Sequence, residues 1–168
     1  MKQVKSVFIA IALMFGALQF ANAQKVAHIN VKQLMENHPE LLKAQKQIEV
    51  MAETYDKEYR GMVTEFSNKR DRYIAEEGTV SDAVNQERAV ELQNIQKSIQ
   101  DFMGDAQKKL GEKEQELTAP ITEKTLAAIQ KVARAKGYEF VLDSTIGSGV
   151  LLADGPDLLN DVKKELGI

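Results

Sequence analysis

Hydrophobic positions in the central part of the chain recur in alternating steps of three and four. Leu41, Ile48, Ala52, Tyr55, Tyr59, Met62, Phe66 and Tyr73 form one such series, with Gln45 and Lys69 filling its gaps. A heptad-like seam kept up for about four and a half repeats predicts a long packed helix. Pro39 suits its first position, with an Asx-type cap expected just before it and Glu40 at the positive end of the helix dipole. Lys43, Lys46, Glu49, Glu53, Asp56, Lys57, Glu58 and Arg60 fall between the seam positions, as a solvated face requires. The stretch from Glu76 to Asp82 breaks the pattern. Gly78 is expected to close the helix in the left-handed conformation, and Ser81 with Asp82 to open the next. Leu92, Ile95, Ile99, Phe102, Ala106, Leu110 and Leu117 then resume the stepping. Two long helices joined by so short a turn must fold back antiparallel, seam against seam. At 1.5 Å per residue, residues 39–75 would span roughly 55 Å, the length of an arm.

The flanks carry a different rhythm. Val26, Ala27 and Ile29 lie among polar residues and read as a short strand, followed by a turn or two of helix over Val31 to Glu36. Pro120 is expected to interrupt the returning helix, because an internal proline removes a hydrogen bond and kinks or restarts it. Helix resumes through Ile121, Leu126, Ile129 and Val132 until Gly137. Tyr138 to Ser144 and Val150 to Ala153 read as two strands, joined by a loop holding Gly147-Ser148-Gly149. Asp157 is expected to cap a closing helix with Leu158, Leu159, Val162 and Leu166 on its apolar face. The predicted fold is α+β and mostly α: a long antiparallel helical hairpin arm, residues 39–118, projecting from a small β-containing body. That body comprises residues 24–38 and 119–168. Three short strands cannot bury a core alone, so an oligomer should complete the sheet, its subunit number left open. Val26, Ile29, Phe140, Leu142 and Leu151 are the candidate oligomerisation residues.

Residues 1–23 belong to none of this. Lys2 and Lys5 precede an apolar run from Val7 to Leu18, and Ala21-Asn22-Ala23 supplies the small-x-small site of a signal peptidase. This layout predicts a cleaved secretory signal, since the run is too short to span a bilayer comfortably. Losing Lys2 and Lys5 leaves 20 basic against 25 acidic residues, a net charge of −5. Such a balance argues against nucleic acid as partner, which needs clustered Lys and Arg. The sequence contains no cysteine, so packing or oligomerisation must replace disulfides outside the cytoplasm.

Candidate chemistry is sparse. His28 sits in a strand and His38 beside Pro39, and neither has the spacing of a metal ligand. Gly147-Ser148-Gly149 is too short for a phosphate loop and is read as a hairpin turn, and Asp154-Gly155-Pro156-Asp157 lacks the spaced ligands of a calcium loop. The sequence therefore predicts no catalytic site, no metal and no cofactor.

Four segments together, in order and spacing, resemble the Skp/OmpH family of periplasmic holding chaperones over the whole chain after the signal. They are Lys25 to Asn30, Pro39-Glu40, Lys136-Gly137-Tyr138-Glu139-Phe140-Val141-Leu142-Asp143, and Asp157-Leu158-Leu159-Asn160-Asp161-Val162. The resemblance implies a homotrimer in the periplasm whose hairpin arms enclose a cavity. It further implies that the cavity holds unfolded outer-membrane β-barrel proteins without ATP. The best-known members are strongly basic, whereas residues 39–118 here carry 12 basic against 17 acidic side chains. The charge that would draw a basic member to anionic lipid or lipopolysaccharide is of the opposite sign here, which leaves that property of the family open for this chain.

On this reading Ile48, Ala52, Tyr55, Tyr59, Met62, Phe66, Leu92, Ile95, Ile99 and Phe102 glue the hairpin. The apolar residues off the seam, Met51, Val63, Ile74, Val90 and Met103, are the candidate client-binding wall. Flexible methionine suits a sequence-tolerant surface, and many weak contacts inside a cavity add up through effective concentration. The alternative with the same fold is an envelope adaptor that docks partners through its arm tips, between Glu76 and Asp82.

Overall fold

The computed structural model describes residues 25–168, so the signal-peptide segment lies outside the described residues. The elements run β1 (Val26–Ile29), α1 (Val31–Glu36), α2 (Pro39–Glu76), a 3₁₀ turn (Glu77–Thr79), α3 (Asp82–Ala135), β2 (Phe140–Asp143) and α4 (Leu159–Leu166). They divide into two compact units. One comprises residues 25–36 and 124–168, the other residues 37–123.

The first unit is built on a parallel pair of strands. Val26 lies opposite Phe140, and the register runs on to Ile29 opposite Asp143. Parallel strands need a long crossover, and everything between Asn30 and Glu139 supplies it. The period of two in β1 turns Ala27 and Ile29 inward, both 1% exposed. They meet Leu34 of α1, Ala128, Ile129, Val132 and Ala133 of α3, and Leu158, Leu159 and Val162 around α4. At six residues α1 is too short to persist alone, and neighbouring oxygens satisfy its first amides. Val31 N–H donates to Asp143 Oδ1, Lys32 N–H to Thr145 Oγ1 and Gln33 N–H to Asn30 Oδ1. Burial would raise the Asp143 carboxyl, but the bonds from Thr145 and Val31 outweigh it and hold it below the usual aspartate value.

The end of α3 is closed by Gly137 at φ 75°, where a residue with Cβ would be strained. Tyr138 N–H reaches back to the Ala133 carbonyl and Gly137 N–H to that of Arg134, which completes a Schellman motif. Asp157 Oδ1 accepts from Leu159 N–H at 2.9 Å, although Leu158 is the residue that flanks α4.

Several expectations need correction here. Residues 150–153 form no strand, and β2 pairs with β1 rather than with them, so Gly147-Ser148-Gly149 lies in a loop and not in a hairpin turn. Helix α3 runs unbroken through Pro120. Only one backbone bond is lost there, at about 3 kcal/mol, and the packing of Ile121, which is 6% exposed, carries the helix past it. Gly78 lies within the 3₁₀ turn and has no positive φ. The cap of α2 is His38, without a side-chain bond, instead of an Asx residue. Ile29 is packed inside its own chain and has no surface to offer a second copy.

Candidate functional site

The unit of residues 37–123 consists of α2 and the first part of α3. Its cross-helix contacts fix the pairing direction. Tyr55 meets Phe102 edge to face with ring centroids 6.0 Å apart, Lys69 meets Glu91, and Glu76 meets Arg88. As the α2 number rises its α3 partner falls, so the two helices are antiparallel. Of the seam residues, Ile99 is buried, and Ile48, Ala52, Tyr55, Tyr59, Met62, Phe66, Leu92, Ile95 and Phe102 are half-buried. Ala44 and Ala106, both small, are buried as well. Ala44 stood outside the predicted series, because one methyl gives little periodic signal.

Toward the connecting turn the seam becomes polar. Glu91 takes Lys69 Nζ on one oxygen and the Tyr73 hydroxyl on the other, each at 2.5 Å. The Arg88 guanidinium stacks on the Tyr73 ring at 4.5 Å and donates to Glu76. Polar residues at seam positions tie register to particular pairs, because any slip leaves half-buried charges unmatched. The Lys69 ammonium, and then the Tyr73 hydroxyl, hold the Glu91 carboxyl below the usual glutamate value, and the Lys69 ammonium is raised in turn. A depressed folded value stabilises the hairpin above the unfolded glutamate range, and that contribution is lost as pH falls through the folded value. Glu91→Gln should therefore flatten the fall of hairpin melting temperature between neutral and strongly acid pH. An acid slope equal to that of the parent would show that Glu91 contributes nothing.

The off-seam residues occupy the outside of this unit. Ile74 is 63% exposed, Val90 51%, Met103 43% and Val63 38%, whereas Met51 is half-buried. Leu42, Val50 and Val84 share that exposure and were missed. A step count that treats apolar residues near the seam as glue does not separate them from it. In the other unit Val26, Phe140 and Leu142 are exposed on the sheet, and Leu151 is wholly exposed in the loop after it.

No group of three histidine, aspartate or glutamate side chains is placed to hold a metal among the described residues. Nor, among them, is any helix long and apolar enough to cross a membrane. What the geometry offers is extended, chemically plain surface.

Comparison with known proteins agrees with this architecture. Among solved structures, a candidate outer membrane chaperone (OmpH-like) from Caulobacter crescentus CB15 is similar over 86% of this chain and 85% of that one, with a TM-score of 0.74. At 18% identity that likeness is one of fold. None of the curated proteins matches the chain. The model of the family described as Outer membrane protein (OmpH-like) matches residues 25–166. With nearly all the described residues inside that match, the chain belongs to the OmpH-like outer membrane protein family.

Proposed function

We propose that this protein is a non-enzymatic, ATP-independent holding chaperone of the periplasm, exported by a cleaved signal peptide. Residues 24–38 and 119–168 of three copies form a trimerisation body, and the hairpins of residues 39–118 enclose a space in which unfolded outer-membrane β-barrel proteins are kept from aggregating. The observation that carries this reading is the contrast within the hairpin. Its seam is occupied by its own side chains, while Val63, Ile74, Val90 and Met103 remain exposed and scattered along it. Dispersed apolar contacts suit an unfolded chain, whose strands offer apolar side chains at many places and bare edges that otherwise pair with one another. The exposed sheet residues Val26, Phe140 and Leu142, with Leu151, support self-association. The acidic balance supports protein clients over anionic lipid.

The test is aggregation of a urea-unfolded outer-membrane β-barrel protein diluted with or without the secreted chain, in the absence of nucleotide. Near-stoichiometric suppression of light scattering is the expected result. Unchanged scattering would overturn the holding role and favour a hairpin that docks folded envelope partners.

A further inference from the structure

We propose that the loop after β2 of one copy plugs a cleft in the sheet-containing unit of the next. This inference rests on the self-association proposed above and names the surfaces that make it. The cleft, of about 450 Å³, has an apolar wall that includes Leu126, Ile129, Tyr138 and Val141, with Arg134 and Glu139 at its rim. Leu126 is 53% exposed there, an apolar side chain without cover. The plug lies on the same unit of the chain. The loop presents Ile146 at 99% and Leu151 at 100% exposure, so neither side chain packs against its own subunit. Side chains of this size left wholly in water gain from any apolar surface that covers them.

Arg134 is the one cation lining the cleft, beside the carboxylates of Glu139 and Asp143, and it is the group an anion on the plug can pair with. Asp154 follows Leu151 by three residues, and Arg134 stands at the cleft rim. Both are exposed, and neither has an ion pair or side-chain hydrogen bond among the described residues. Seating Leu151 in a neighbour's cleft brings that anion toward the neighbour's cation. Plug and cleft are different surfaces of one subunit, so the contact is head-to-tail. Repeated contacts of this kind give a ring, as a trimer requires, where the rotation from copy to copy closes, and an open filament where it does not, whereas a two-fold dimer would need one surface that matches itself.

The secreted chain contains no cysteine, which makes the contact easy to trap. Leu126→Cys with Leu151→Cys in one chain should give, under mild oxidation, dimer and closed-ring bands on non-reducing gels, while either single variant should not give the ring. Arg134→Glu and Asp154→Arg should each raise the concentration at which the assembly half-dissociates by about tenfold, and the double reversal should restore it. Both residues are exposed, so folding should survive, and amide hydrogen exchange at Ala27, Ile29 and Val162, unchanged from the parent, checks that it does. An assembled parent with neutral charge reversals and no ring band would overturn the plug while leaving self-association standing. A parent that sediments as a monomer would remove both.

Discussion

Leu34→Ala should lower the stability of the sheet-containing unit by about 2–5 kcal/mol, the range for removing a large aliphatic side chain from a packed core. Leu34 is 0% exposed and is the one buried residue of α1. It packs in one cluster with Ile29, Val132, Leu158 and Val162. Domain stabilities are typically about 5–15 kcal/mol, so the loss would consume a large share of what holds this unit together. The long helices dominate the circular dichroism of the chain, which makes that signal a poor reporter of the change. Amide hydrogen exchange at Ala27, Ile29 and Val162 reads it directly and should accelerate at least tenfold. Leu42→Ala serves as the control, because Leu42 is 51% exposed and surface truncations usually stay within about 0.5 kcal/mol. Unchanged protection in Leu34→Ala would mean that α1 is held by its amide bonds to Asp143, Thr145 and Asn30 rather than by its core side chain.

What the sequence made legible was whatever a local period or a single residue's stereochemistry decides. The three-four stepping located α2 and most of α3, the apolar Val26, Ala27 and Ile29 set among polar residues located β1, and Gly137 marked the end of α3 because its φ of 75° suits glycine. What stayed hidden depends on partners distant in sequence. Val150 to Ala153 has strand-forming residues, yet a strand exists only where a second edge pairs with it, and the edge of β2 is taken by β1 on one side. Pro120 has the composition of a break, but one missing bond cannot end a helix whose neighbours are packed. His38 shows the limit from the polar side. Nothing in its surroundings along the chain announces that its ring is 1% exposed with neither nitrogen bonded, a burial that costs about 1–3 kcal/mol unless packing offsets it. In the candidate site the three-four stepping picks out positions that are buried or half-buried, and it does not tell the exposed apolar positions beside them apart. Val63 and Val50 differ from seam residues by one or two positions, and only the three-dimensional partner decides which side chains stay outside.

Replacing Val63, Ile74, Val90 and Met103 together by serine or glutamine should abolish most of the holding activity while leaving the hairpin folded. All four are exposed, at 38–63%, so little packing is lost inside the chain. Each loose contact with a client is worth much less than full burial of the side chain. At about 0.5 kcal/mol apiece the four add to about 2 kcal/mol, or roughly 30-fold in affinity. The measurement pairs the concentration needed to suppress aggregation of an unfolded β-barrel protein with the melting temperature of the same variant. A seam substitution supplies the contrast. Tyr55→Ala removes the edge-to-face contact with Phe102 and should lower the melting temperature first, with holding lost only where the hairpin itself opens. Suppression by the fourfold variant equal to the parent would mean that clients are held elsewhere. If substitutions between Glu76 and Asp82 alone then removed binding, specificity would reside at the connecting turn, and the hairpin would be an adaptor that reaches a partner instead of a wall that shields one.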